Sequence, residues 1–492
     1  MKYLILCLVA VAAVLGIALR SVEVLNHNYV FVYDQGLDML AARSIAVDHK
    51  LTLIGSEAGG GFAGLPGIFH GPGYHYILAG ISVLTRGDPY GEIFALWVAS
   101  LLSVWFLYLI GKRLFGFWGG VATAVIALVS PAFIGMSRMI WAPNFAGLFV
   151  VAYIAALLVR KHKNFSDGLL LGLSAAFLYN FEIPLAAAAC LGALAYLIFV
   201  DRIKVFRVWG GFILGCAVAF LPMAAFDARH GWLTTRGLVG FFLHPAVVTK
   251  TAPFDVAGHL SVFLYHASGI FPFITGLPFW FWFVLLALGV WFFRPGVKER
   301  EARNGMSGLV LLVLAHIVLF LPYRNPIYGH YLTILSYVYV LVAGGIIARI
   351  IATRRWVILT VSAILFIVPS ILSYPKTIST DYHDYGGTAK IRGKKDAVDF
   401  IYRDAKGAPF GLLVFSPPVY TYPYEYVLQW YAKSRYGYLP TAGKDKIFYL
   451  LIEPDPEKPW SYRGWLETVI KSGTTIASWT LPSGFMIEKR ME

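Results

Sequence analysis

The sequence predicts a polytopic α-helical membrane protein that ends in a small water-soluble α/β domain. Three observations carry this. Only 14% of the 492 residues are charged and 58% are hydrophobic, whereas soluble domains carry about 25% charged residues. About eleven apolar runs approach the length that crosses a bilayer, which takes roughly 20 residues. Lys and Arg gather in alternate loops between those runs, as they do on the cytoplasmic face of a membrane.

The first run, Tyr3 to Leu19, follows Lys2. We read it as a retained span rather than a signal peptide, because no clear small-residue cleavage site ends it. The others lie near 91–110, 115–135, 144–160, 166–180, 183–200, 208–226, 273–293, 307–322, 329–350 and 356–373. Loops after even-numbered spans hold Lys112-Arg113, then Arg160, Lys161 and Lys163, then Arg202, Lys204 and Arg207. They continue with Arg294, Lys298, Arg300 and Arg303, then Arg349, Arg354 and Arg355. The short loops on the other side hold only Arg138 and Arg324. The amino terminus is therefore expected in the cytoplasm of a plasma (inner) membrane protein. An odd number of spans then puts residues 374–492 outside.

This topology accounts for the net charge of +14 without nucleic acid. Cys7, Cys190 and Cys216 all sit inside apolar runs, with no disulfide framework and no metal-ligand spacing, so packing explains them.

The expected outer segments come next. Residues 20–90 form a long first outer loop with a short helix from Gly36 to Asp48. Gly73 to Leu84 is apolar but only ~12 residues long, which suits an interfacial or re-entrant helix. Residues 374–492 read as helix Gly393–Ala405, strand Phe410–Phe415, helix Tyr424–Lys433, strand 446–452, helix 461–471 and strand 475–480. Alternating helix and strand is the pattern of an α/β domain.

Asp34 and Asp38 in the first outer loop are the leading candidates for chemistry. Asp34 could be a helix N-cap and Asp38 a solvated acid of the first turn. At the lipid surface, however, a carboxylate can act as general base toward an acceptor. At i and i+4 the two share a helix face, and mutual repulsion raises one pKa. Other candidates are His70 and Tyr74 around Gly71-Pro72, Glu182 in a tiny outer turn, and the outer-side cations Arg138 and Arg324. His330 and Tyr331 follow Arg324 closely. Belt anchoring and snorkelling are the plainer readings of Tyr74 and Arg138. An arginine can instead grip phosphate bidentately. His70 and His75 lack the spacing of a metal pair, and no metal site is read.

In sequence order the chain carries Tyr33-Asp34-Gln35-x-x-Asp38, His70-Gly71-Pro72-x-Tyr74, Lys112-Arg113-Leu114-Phe115-Gly116, Ser137-Arg138 and Trp141-x-Pro143-Asn144. Together these resemble the GT-C glycosyltransferases, in particular bacterial and archaeal relatives of the dolichyl-phosphate-mannose protein mannosyltransferases and of the lipid A aminoarabinose transferase. The resemblance covers residues 1–373. It implies a polyprenyl-phosphate-linked sugar donor, an inverting displacement at the anomeric carbon, and a first-loop acid as base or acceptor-orienting group. Asp34 stands at the family's acidic position. The mannosyltransferases commonly have Asp-Glu there; with Asp-Gln, either one acid is lost or Asp38 supplies it a turn later. Because the leaving group of that donor is a lipid phosphate, Arg138, Arg324, His330 and Tyr331 are the candidates for the donor phosphate, and His70, Tyr74 and Glu182 those for the acceptor or cavity side. The resemblance allows a protein, lipid or glycan acceptor. A divalent cation on the donor phosphate is also allowed, since some GT-C enzymes need one. Competing readings are a transporter or flippase of lipid-linked sugars and a non-enzymatic subunit of a wall-assembly complex.

Overall fold

The computed structural model describes residues 2–58, 67–203, 205–243, 256–271, 300–321, 323, 327–383, 389–417, 420–455 and 457–492. The chain begins with α1 (Lys2–Arg20), the first expected span, and the long segment after it holds α2 (Val22–Asn26), α3 (Tyr33–Ala46) and α4 (Gly73–Thr85). The helical body follows as α5 (Tyr90–Val129), α6 (Pro131–Met136), α7 (Ala142–Leu158), α8 (Phe165–Phe177), α9 (Ile183–Phe199) and α10 (Phe206–Arg229). After α11 (Leu233–Leu243) and α12 (Val256–Ile270) come α13 (Arg300–Phe320), α14 (Thr333–Ala352) and α15 (Trp356–His383).

Among the described residues four helices are long and apolar enough to cross a membrane: Tyr90–Val129, Phe206–Arg229, Glu301–Phe320 and Gly329–Ala352. Val9–Arg20, Ala142–Leu158, Ile183–Phe199 and Leu359–Leu372 are shorter apolar helices. The expected runs 91–110 and 115–135 both fall largely within α5. Gly116 there has φ 78°, ψ 179°, values that break a helix and that glycine adopts at little cost. The two arms fold back on each other, since a Cβ on Gly120 would lie 2.6 Å from the Tyr108 carbonyl oxygen. The expected run at 273–293 lies outside the described residues.

Glycines also bring α8 and α10 together. A Cβ on Gly168 or Gly172 would meet the carbonyl oxygens of Val208 and Phe212 at 2.1 Å. Reciprocally, Gly211 and Gly215 face Phe165 and Leu169 oxygens at 2.1 and 2.3 Å. Small residues four apart on both helices let apolar backbones approach closely.

The C-terminal domain contains α16 (Ile391–Ala405) and a five-stranded sheet. Its strands are β1 (Gly411–Phe415), β2 (Thr441–Ala442), β3 (Ile447–Ile452), β4 (Thr474–Thr480) and β5 (Met486–Met491), in the order β2-β1-β3-β5-β4. β1 is parallel to both neighbours and β5 antiparallel to both of its own. The sequence reading missed β2 and β5. β5 reads Met-Ile-Glu-Lys-Arg-Met; its charges are answered by Asp404, 2.8 Å from Lys489, and by Glu488 beside Arg490.

This domain closes over the start of α3 and the extended residues before it. Val30 bridges Lys390 in antiparallel fashion, with Phe31 N–H donating to the Ala389 oxygen at 2.9 Å and Ile391 N–H to Tyr29 at 3.0 Å. A further helix, α17 (Tyr422–Val427), lies against α3. The backbones meet at Gly36, where a Cβ would sit 2.3 Å from the Pro423 nitrogen. Around this contact Arg43 donates to Gln429 at 2.9 Å and the Tyr426 hydroxyl to the Gly87 oxygen at 2.6 Å.

Candidate active site

α3 begins after extended Val32 and buries Gln35, Gly36, Asp38, Met39 and Ala42, one face at helical spacing. Asp34 is not the N-cap. Gln35 fills the capping role, its Oε1 accepting the Val32 amide at 3.0 Å while its Nε2 donates to the Ile140 oxygen at 2.6 Å. Asp34 is exposed, and its carboxylate accepts no hydrogen bond from any described residue. Its pKa is raised, first by the surrounding protein and then by the charge of Asp38. Since the carboxylate is open to water, the Asp38 contribution is the firmer of the two.

Asp38, one turn later, is buried. Its Oδ1 accepts the Ser56 hydroxyl at 3.0 Å and faces His75 Nε2 at 3.1 Å; Ser56 Oγ also lies 3.1 Å from that nitrogen. The sequence reading weighed His75 only as half of a histidine pair without metal-ligand spacing and gave it no role. The structure makes it the partner of Asp38 and ties it to Ser56, which no motif marked.

From Ser56 a polar chain continues across the site. His70 Nδ1 donates to the Ser56 backbone oxygen at 3.0 Å, and its Nε2 meets Glu182 Oε1 at 3.2 Å. The other carboxylate oxygen of Glu182 lies 3.8 Å from His330 Nε2. Burial alone would lower the His70 pKa, but the charge and hydrogen bond of Glu182 outweigh it and the net shift is upward. His70, Glu182 and His330 are thus brought together from the segment before α4, the α8–α9 turn and the turn just before α14.

Aromatic side chains pack around this chain. Trp141 meets His330 edge to face at 4.8 Å, and Tyr331 meets it at 4.6 Å. Tyr331 itself lies parallel to Phe320 at 6.2 Å. Tyr74 sits deeper, against Phe145 and Phe181 at 5.7 and 6.1 Å, with its hydroxyl buried and unpartnered among the described residues.

The guanidinium of Arg138 is engaged differently from the expected grip on phosphate. Its Nε and Nη2 donate to the two oxygens of Glu23, both at 2.6 Å, and Lys390 Nζ lies 3.8 Å from the same carboxylate. The bidentate edge that would suit a phosphate is held by Glu23, an acid the sequence reading did not weigh. Arg324 lies outside the described residues. Among the described residues no group of three His, Cys, Asp or Glu side chains could hold a metal ion.

A family model for dolichyl-phosphate-mannose-protein mannosyltransferase matches residues 69–226. That segment includes His70, Tyr74, Arg138 and Glu182 but not Asp34 or Asp38. Comparison with curated proteins finds no match. Among solved structures the chain is similar to ArnT from Cupriavidus metallidurans bound to undecaprenyl phosphate, at 10% identity and TM-score 0.61 over 99% of this chain and 98% of that one. It is similar to apo ArnT from the same organism at 11% identity and TM-score 0.59, with the same coverage. It also matches the Archaeoglobus fulgidus oligosaccharyltransferase in complex with Zn and sulfate, at 12% identity and TM-score 0.49 over 96% and 72% of the two chains. The likeness to ArnT spans helical body and C-terminal domain together, and the two chains share this fold.

Proposed function

We propose that this chain is a membrane glycosyltransferase that moves a sugar from a polyprenyl-phosphate donor to an acceptor at the outer face of the membrane, with inversion. Asp34 takes the proton of the acceptor nucleophile as that atom bonds to the anomeric carbon. The bond from that carbon to the phosphate oxygen breaks, and polyprenyl phosphate leaves with the electron pair. The observation that supports Asp34 most is the contrast between the two acids. Asp34 has an open carboxylate at the helix start, while Asp38 is held by His75 and Ser56. Asp38 then acts as a fixed charge that keeps the base strong.

Arg324, His330 and Tyr331 are the residues we assign to the donor phosphate. His70, Tyr74 and Glu182 shape the cavity between donor and acceptor, with the Glu182 carboxylate locking the two histidines. The Arg138–Glu23–Lys390 group braces the base of the first outer loop. A divalent cation needs several oxygen ligands. Asp34 alone offers an open carboxylate here, so the described residues do not compose a cation site by themselves. The amino terminus is assigned to the cytoplasm and the C-terminal domain to the outside, on the alternation of basic loops.

The test is to incubate the purified protein with a panel of polyprenyl-phosphate sugars and membrane extract, then analyse the products by mass. Sugar on an acceptor with release of polyprenyl phosphate is the expected result. Movement of labelled lipid across a bilayer with no transfer would favour a flippase instead.

A further inference from the structure

Ser56 joins the two halves of the site, with Asp38 and His75 on one side of it and His70 and Glu182 on the other. Its backbone belongs to a short antiparallel ladder between residues 55–58 and 67–70. Gly55 N–H donates to the His70 oxygen at 2.8 Å, His70 N–H to the Ser56 oxygen at 3.0 Å, and Ala58 N–H to the Ile68 oxygen at 2.7 Å. Glu57 and Phe69 pair between them, and Glu57 Oε1 accepts the Gly67 amide at 2.7 Å. The ladder also needs a glycine at its start, since a Cβ on Gly55 would lie 2.4 Å from the Gly71 oxygen. The place of Ser56 is therefore set by backbone bonds in which its side chain takes no part.

From that fixed position the Ser56 hydroxyl reaches α3. With Asp38 Oδ1 and His75 Nε2 it closes a triangle whose sides are 3.0, 3.1 and 3.1 Å. We infer that Ser56 is a positioning residue for the base: its hydroxyl keeps Asp38 ionised one turn beyond Asp34, and the charge of Asp38 keeps Asp34 basic. This rests on the reading of Asp34 as the base and adds the residue that sets its strength.

An ionised carboxylate oxygen only accepts hydrogen bonds, so the hydroxyl of Ser56 directs its hydrogen at Oδ1. A donor placed on a carboxylate favours its charged form, and such charge-assisted bonds are roughly twice as strong as neutral ones. Burial and then the charge of Asp38 raise the pKa of Asp34. The same charge acts on Tyr33 of α3, on Tyr74 of α4 and on His70 of the ladder, and His75 faces it directly. α17 packs on α3 at Gly36 and brings Tyr422 against Tyr33, with 5.4 Å between the rings. Ser56 is uncharged. Replacing it leaves all these groups in place and alters only how firmly Asp38 holds its charge.

The experiment uses the full chain in nanodiscs, with aspartate isotope-labelled at the side-chain carboxyl carbon for NMR. Loss of a signal in Asp34→Asn or Asp38→Asn identifies each carboxyl, and Asp38→Asn shows where Asp34 titrates with no like charge beside it. Ser56→Val removes the hydroxyl and keeps water out of its place, while Ser56→Thr restores it on nearly the same shape. Both β-branched residues suit an extended ladder, and Ser56→Ala makes the same comparison without added bulk. In Ser56→Val and Ser56→Ala the Asp34 titration is expected to move down in pH toward its position in Asp38→Asn. In Ser56→Thr it is expected to stay where the wild type has it. Combining Ser56→Val with Asp38→Asn should add no further shift, because the hydroxyl acts through Asp38. Melting curves verify that each variant folds. Three results would overturn the inference: an unmoved Asp34 titration in the folded valine and alanine variants, an equal shift in Ser56→Thr, or a shift that persists on the Asp38→Asn background. The reading of Asp34 as base fails on a separate observation, namely near-normal sugar transfer by Asp34→Asn.

Discussion

Gln35 donates to the carbonyl of Ile140 at 2.6 Å while its own side-chain carbonyl accepts the amide of Val32 at 3.0 Å. Only an amide does both. A carboxylate here would set its charge against the Ile140 oxygen, so the residue after Asp34 serves as a strut. Gln35→Glu is expected to cost about 1–3 kcal/mol, the penalty of a buried polar group left facing the wrong partner. Denaturant midpoints measure it, and an unchanged midpoint would show that the amide is dispensable.

Asp34→Asn is expected to lower turnover by about 10²–10⁴ while donor binding survives. Because the Asp34 pKa is raised, the acidic limb of kcat/KM should lie above the ordinary Asp value near ~3.9. Asp38→Asn removes the like charge, so the limb should move down in pH. Near-normal transfer by Asp34→Asn sinks the assignment of the base. Loss of turnover in Asp38→Asn alone moves it one turn along the helix.

The His70–Glu182 pair gives stability a pH dependence of known sign. A raised folded-state pKa means that protonated His70 stabilises the fold. That contribution is complete below the unfolded value of about 6.5 and is lost as pH climbs through the folded value. Thermal midpoints should therefore fall across that window. In Glu182→Gln the fall should disappear or reverse, since only burial, which disfavours the charged ring, remains. Matching pH profiles for the two proteins would count against the pair.

Arg138→Ala leaves Glu23 buried with Lys390 alone at 3.8 Å, and should cost about 3–5 kcal/mol. The double variant Arg138→Gln with Glu23→Gln should recover much of this and retain its affinity for undecaprenyl phosphate. Arg324→Ala should lose donor affinity without a change in melting. Equal loss of affinity in the folded double variant and in Arg324→Ala would return Arg138 to the phosphate.

The helical body and the first-loop motif were legible in the sequence because apolar runs and local acids are properties of short windows. Asp34, Asp38, His70 and Glu182 could be named on that basis. Their partners could not, because Ser56, His75 and Lys390 become neighbours only through tertiary folding. Glu23 did leave a signal: an acid at the end of a span is costly without a counter-charge, and Arg138 lay on the same predicted side. The return of the chain at Gly116 was legible as Lys112 and Arg113 between two runs. β5 was not, because its three consecutive charged residues hide the alternation that marks a strand.

The close fit of Gly36 against Pro423 also sets an order in time. A ribosome makes α3 early and α17 near the end, so the helix bearing Asp34 emerges long before the surface that covers it. A chain arrested before Thr421 would hold the helical body and both acids with α3 uncovered, and on the transferase reading it should transfer no sugar. Lipid-linked sugar would thus be protected from half-made copies in the membrane, and deleting the last residues should silence the protein without unseating it from the bilayer.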